Sequence, residues 1–225
     1  RSTLFPYTTL FRSERCTTAL ALLGAELPSL LVVATRLPDM DGFDVLDRLH
    51  GDARARDLPA LLLSDGTITT DEVRRVESHG RVVLLGKGIL SHTETAGLIG
   101  RLLTPGHPLA PRSGLLVKHA LAYLHQHYQR QITRRQVATA AGMSEDYLSR
   151  LFHRELGISP WDYLTRMRIR AAKERLRDSD DSIQAVARWV GFHDRAYFSR
   201  TFRKLTGIPP QTFREQAQAM GSKGN

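Results

Sequence analysis

A single cysteine, Cys16, stands in the whole chain of 225 residues. One thiol excludes an internal disulfide framework and fits a reducing compartment. Long apolar runs are missing too: no stretch approaches the roughly 18 residues that a membrane span needs. No leading segment shows the order of charged, apolar and small residues that marks a secretory signal. The expectation is a cytoplasmic protein with no membrane partner. Catalytic and metal-binding constellations are equally scarce. His119, His125 and His127 crowd one stretch, but no carboxylate or cysteine completes a ligand set, so solvated histidines are expected. With no nucleophile–base pair and no glycine-rich phosphate loop, the reading is not an enzyme, with no cofactor and no metal.

What the chain does have is positive charge, and it is unevenly placed. The net charge is +9. Residues 14–112 hold 11 Lys/Arg against 13 Asp/Glu, whereas residues 113–225 hold 19 against 10. Arg1 and Arg12 supply the remainder. A basic half joined to a near-neutral half points to a polyanionic partner for the basic part, most often nucleic acid. A merely soluble basic surface is the plainer alternative.

Residues 1–13, RSTLFPYTTLFRS, show neither helical nor strand periodicity. They correspond to an in-frame translation of a common sequencing adapter, so they are set aside and the native N-terminus is expected to be missing. From 14 to 103 the pattern alternates. Helical stretches are expected at 17–23, 43–50, 71–78 and 93–103, and short continuous apolar runs at 30–34, 60–63 and 82–85. Such runs mark strands covered on both faces, and the alternation predicts an open parallel α/β sheet. Residues 104–113, rich in proline and glycine, read as a linker. No strand pattern follows it; residues 114–217 form a helical domain and 218–225 a tail.

The helical domain contains an internal repeat of about 25 residues, TRRQVATAAGMSEDYLSRLFHRELG at 133–157 and SIQAVARWVGFHDRAYFSRTFRKLTG at 182–207. Val137-Ala138 matches Val186-Ala187, Gly142 matches Gly191, and Leu148 matches Phe198 after one extra residue. Each block offers a short helix, a glycine suited to a tight turn, and a second helix started by Ser144 or near Asp194. Leu148, Leu151 and Phe152, like Phe198 and Phe202, recur at spacings of three or four and face a core. A front of Arg, Ser and small residues remains, as a helix entering a major groove requires. Between the blocks, Ser159 to about Asp178 reads as one helix of roughly 20 residues, spanning ~30 Å at ~1.5 Å per residue. Trp161, Tyr163, Leu164, Met167, Ile169, Ala172 and Leu176 form its apolar side. Its run of cations from Arg166 to Arg177 is read as mostly solvated, with phosphate contact as a second role.

Residues 114–217 resemble the DNA-binding domain of the AraC/XylS family. The likeness rests on YLSRLFHRELGISPWDYLTRMRIRAAKERL and SIQAVARWVGFHDRAYFSRTFRKLTGIPPQTFR, including Gly191-Phe192, Tyr197-Phe198, Pro210 and Phe213-Arg214. It implies a monomeric domain of seven helices that reads two successive major grooves of double-stranded DNA and contacts RNA polymerase. Carried over by position, the base-facing residues are Asp146, Ser149 and Arg150 in the first unit and Arg195, Ala196, Ser199 and Arg200 in the second. Arg150 or Arg195 is suited to guanine. For Arg200, a bridge to the linking helix competes with base readout. Arg154, Arg203 and Lys204 are assigned to phosphates, which position without specifying.

ELPSLLVVATRLPDMDGFDVLDRLHGDARARDLPALLLS resembles a response-regulator receiver. The expected fold is thus an α/β incomplete CheY-like (flavodoxin-like) receiver domain followed by an all-α double helix-turn-helix DNA-binding domain. The resemblance implies a degenerate receiver site of Ala34, Ser64 and Lys87. Ala34 stands where the acceptor aspartate belongs, Gly88 where a proline usually follows the lysine, and the paired acidic residues are absent. Asp39 and Asp41 lie in the next loop, where solubility or helix capping is expected. The implied role is a pseudo-receiver that offers an interaction surface, such as a homodimer contact. Three readings follow: a sequence-specific transcription regulator, a phosphorelay response regulator with a working receiver, and a protein-interaction module.

Overall fold

The computed structural model describes residues 13–25, 27–77, 79, 81–104 and 111–221. Ser13 apart, the adapter-like head lies outside the described residues. Among them, the first half runs α1 (Cys16–Ala25), β1 (Leu31–Ala34), α2 (Gly42–Gly51), β2 (Ala60–Ser64), α3 (Thr70–Glu77), β3 (Val82–Gly86) and α4 (His92–Leu103). The second half runs α5 (Pro111–His127), α6 (Arg134–Ala140), α7 (Glu145–Leu156), α8 (Pro160–Asp178), α9 (Ile183–Trp189), α10 (Arg195–Thr206) and α11 (Pro210–Gly221).

The three strands form a parallel sheet in the order β1-β2-β3, with Leu31 beside Ala60 and Ala60 beside Val82. Every residue of β3 is buried, which explains why VVLLG is continuously apolar rather than alternating. Gly42 starts α2 under compulsion, because a Cβ there would lie 2.0 Å from the Ala34 carbonyl oxygen. Its own N–H donates to the Thr35 carbonyl at 2.9 Å, closing the loop after β1. Asp41 caps α2 through the Phe43 N–H. Asp39 accepts from the Cys16 and Thr17 backbone nitrogens at 2.9 and 3.1 Å, capping α1 from across the loop. Those hydrogen bonds hold the Asp39 carboxyl down at about 2. Capping, not metal binding, occupies both aspartates.

The cores divide the chain at an unexpected place. One buried cluster joins the sheet (Leu61, Leu62, Leu84, Leu85) to α5 (Leu121, Leu124), α7 (Leu148, Phe152) and the first half of α8 (Tyr163, Leu164, Met167). α5 packs on α3 and β3, so a helix of the second half covers the α/β half. A second cluster takes the other half of α8 (Ile169, Ala172, Leu176) with Val186, Phe192, Phe198 and Phe202. α8 therefore belongs to two cores, changing partner between Met167 and Ile169.

Candidate nucleic-acid interface

Both repeat blocks fold to the same hydrogen-bond pattern. Thr133 and Ser182 cap α6 and α9. In the two turns, Ala141 N donates to Val137 O at 3.1 Å and Val190 N to Val186 O at 3.0 Å. Gly142 N donates to Thr139 O at 3.1 Å and Gly191 N to Arg188 O at 3.0 Å. Met143 N and Phe192 N donate at 2.9 Å to Ala138 O and Ala187 O. Ser144 and Asp194 then cap α7 and α10 through the Tyr147 and Tyr197 N–H groups. Both second helices end on left-handed glycines, Gly157 and Gly207.

The turn glycine of the second unit is under double constraint. Gly191 has φ +90, a region that L side chains avoid, and a Cβ would stand 2.6 Å from the Tyr128 carbonyl oxygen. That carbonyl also accepts from Nε of Arg168 at 2.7 Å. The end of α5, the middle of α8 and the second turn thus meet at one point.

Leu148, Leu151 and Phe152 of α7, with Phe198 and Phe202 of α10, are buried as their spacing predicted. Their packing turns the opposite faces outward. Asp146, Arg150, Arg195, Ala196 and Arg200 are exposed, and Ser149 and Ser199 are half-buried. The two units therefore present equivalent rows: Asp146, Ser149 and Arg150 on α7, and Ala196, Ser199 and Arg200 on α10. On the buried side the α/β half reaches α7 near its other end, where Arg101 donates to the Glu155 carbonyl at 3.5 Å. The leading turns of both helices remain open.

Three sequence expectations need adjustment. Arg154, assigned to phosphate, is paired at 2.9 Å with the buried carboxylate of Glu155. Arg203 and Lys204 are exposed in the last turn of α10, and Arg200 is exposed. Arg166, Arg168 and Arg170 are half-buried and committed to protein partners. Arg166 donates to Glu94 at 2.8 Å and to the Ile89 carbonyl. Arg168 holds the Tyr128 and Arg130 carbonyls, and Arg170 holds those of Lys87 and Asp65. The ion pair draws the Glu94 carboxyl down to about 2. The expectation of solvated histidines fails at His125, which is buried: its Nδ1 accepts from the Ile68 N–H at 3.2 Å.

Sequence reasoning named Asp146 but passed over Glu145 beside it at the acidic start of α7. Glu145 and Asp146 occupy its first turn, whereas α10 begins with Arg195 and has no acid there. The signal was present in the repeat alignment, because Glu145 stands opposite Arg195. The first unit thus has two acids in its leading turn, where the second has Arg195 directly behind the Asp194 cap.

At the sheet, Ala34 and Ser64 end β1 and β2, and Lys87 directly follows β3. All three come to the same C-terminal edge. Ala34 offers only a methyl group, and the Lys87 ammonium pairs with Asp65 at 3.1 Å. Ser64 is buried, its hydroxyl donating to the Gly66 carbonyl at 3.3 Å. No group of His, Cys, Asp or Glu among the described residues is arranged to hold a metal ion.

Two capped helix pairs of one design, joined by a single helix and each showing an open polar face, define a double helix-turn-helix module. The helix-turn-helix domain family matches residues 137–216. That stretch is a helix-turn-helix domain of the AraC/XylS type. The HTH-type transcriptional regulator YijO of Escherichia coli is 37% identical over 107 residues, covering 48% of this chain and 38% of its own length. The arabinose operon regulatory protein of Salmonella typhimurium is 31% identical over 167 residues, covering 69% of this chain and 59% of its own. Among solved structures, the C-terminal domain of AraT, a response regulator from Geobacillus stearothermophilus, is 34% identical, with a TM-score of 0.44. That match covers 45% of this chain and 84% of that one. The chain spans less than two thirds of the length of these curated relatives. The N-terminal half is a small parallel three-stranded α/β region, and among the described residues no helix is long and apolar enough to cross a membrane.

Proposed function

We propose that the chain is a sequence-specific, DNA-binding transcription regulator, acting in the cytoplasm without catalysing a reaction. The observation that carries this reading is the duplicated unit: two recognition helices with matching open rows, held apart by α8. At 19 residues, α8 is ~28 Å long at ~1.5 Å per residue, against ~34 Å for one turn of duplex. That length suits successive major grooves on one face of the DNA. Arg150, Arg195 and Arg200 are the base-contact candidates, with Asp146, Ser149, Ala196 and Ser199 beside them; Arg203 and Lys204 suit phosphate. The acidic start of α7 suits a cytosine amino group better than a phosphate. Arg154, tied to Glu155, becomes a weaker phosphate candidate.

The α/β half is proposed to be a receiver-like domain without phosphoryl chemistry, since Ala34 has no oxygen to accept the group. Its role would be contact, as in a homodimer, and the family likeness extends the partners to RNA polymerase. Selection from random duplex DNA tests the main reading. An enriched site with two separated half-sites is expected. Binding indifferent to sequence at fixed salt would overturn it.

A further inference from the structure

A cavity of about 490 Å³ opens where the α/β half, the linking helix and the second helix-turn-helix unit converge. Its walls are the loop Lys87–Ser91, one side of α8 from Arg166 to Arg177, and the end of α10 at Leu205 and Thr206. Five cations line it, Lys87, Arg166, Arg170, Lys173 and Arg177, against one carboxylate, Glu174. The charges are not equally committed. Arg166 is paired with Glu94 and Lys87 with Asp65, while Arg170 holds two backbone carbonyls and lies 3.3 Å from Glu174. Lys173 and Arg177 have no ion-pair partner among the described residues; Lys173 only overlies the Phe213 ring, 5.6 Å from its centroid. Between these cations the wall is apolar, formed by Ile89, Leu90, Ile169 and Leu205, and Leu205 is 42% exposed.

Uncommitted positive charge beside an exposed leucine, in a recess of this size, matches a small organic anion with an apolar body. We propose that this junction is a binding site for such a molecule, a carboxylate or phosphate ester, with Lys173 and Arg177 receiving the anionic group. Leu205 and Ile169 cover the apolar part. The recess is distinct from the DNA-reading row. Leu205 lies five positions beyond Arg200, the last residue of that row on α10, or ~7.5 Å along the helix at ~1.5 Å per residue. An occupant would touch the α/β loop, α8 and α10 together, and so bear on how the second unit is held against the first. That consequence rests on the DNA-binding reading, whereas the site itself does not.

The full chain titrated with anilinonaphthalene sulfonate, an apolar ring system carrying one fixed anion, tests the site by fluorescence without DNA. Saturable binding at one site is expected, displaced by phenyl phosphate and not by benzyl alcohol. Lys173→Glu/Arg177→Glu should weaken it at least about tenfold. The same number of reversals elsewhere, Arg56→Glu/Arg135→Glu, should leave it unchanged. Should the first variant lose its far-ultraviolet dichroism, Lys173→Gln/Arg177→Gln replaces it with the same expectation. Non-saturable binding, equal loss in both reversal variants, or displacement by benzyl alcohol would each overturn the proposal. A failed DNA selection beside intact probe binding would sink the regulatory reading alone.

Discussion

The hydroxyl oxygen of Tyr163 lies 2.9 Å from Nε2 of His125 and 3.1 Å from the backbone nitrogen of Gly86. One side chain of α8 thus ties the last residue of β3 to the helix that covers the sheet. Because Nδ1 of His125 accepts from the Ile68 N–H, the neutral imidazole carries its proton on Nε2 and donates to Tyr163. Burial pushes the Tyr163 phenol upward and keeps it protonated. Tyr163→Phe strands the Gly86 N–H and the imidazole N–H in a dry core. The expected loss is about 1–3 kcal/mol, read from the urea midpoint. An unchanged midpoint would show that water replaces the hydroxyl.

Acid should loosen the same junction. Burial, with Arg170 nearby, lowers the His125 pKa from 6.5 to about 3. The unfolded chain therefore takes up this proton first. The stability is fully present above the unfolded value and is lost as pH falls through the window from 6.5 toward 3. Glu94, lowered from 4.5 to about 2, acts in the same direction below its own unfolded value. Urea unfolding at about pH 7 and about pH 5 should show a lower midpoint in acid. Equal midpoints would contradict the buried neutral histidine.

On DNA, Arg195→Ala and Lys204→Ala should separate specificity from affinity. Arg195 opens α10 and Lys204 lies in its last turn. The first change should cost about 1–3 kcal/mol on the preferred site and relax one base position. The second should weaken all sequences about equally and flatten the salt dependence. Parallel losses on specific and random duplexes would reject the division.

Gly191→Ala should destabilise the second unit by more than about 1 kcal/mol, since the left-handed backbone and the Tyr128 carbonyl both oppose a methyl group. Gly142→Ala provides the comparison: φ is +67, but nothing lies within 4 Å of its added Cβ. The Gly142 variant should lose less, by calorimetry. Equal losses would mean that backbone strain alone decides.

On the proposed receiver-like reading, acetyl phosphate should leave no acid-labile phosphate on the chain, because Ala34, which ends β1, has no side-chain oxygen to accept it. Mass spectrometry decides, and a single phosphorylated aspartate would restore the phosphorelay reading.

Much of this molecule was legible in its residues. LVVA, ALLLS and VVLLG all became strands, but only ALLLS and VVLLG are covered on both faces; β1 is an edge strand whose Val32 is 49% exposed. Ser144 and Asp194 fixed the starts of the recognition helices because their side chains satisfy N–H groups that the helix itself leaves free. The repeat and its buried faces followed from spacing, and the base-facing residues were named by the family resemblance. Periodicity names the buried face of a helix, though, and not what buries it. Tyr163 read as apolar packing within the helical half; only the tertiary structure placed its hydroxyl on the sheet. Arg166 and Arg170 read as solvated charge, yet the fold commits them to Glu94 and to the carbonyls around β3. Local sequence determined the elements and the two reading units. The shared core, and the cationic recess beside it, arise from contacts between residues more than seventy positions apart, such as Gly86 and Tyr163, and no local pattern carries those.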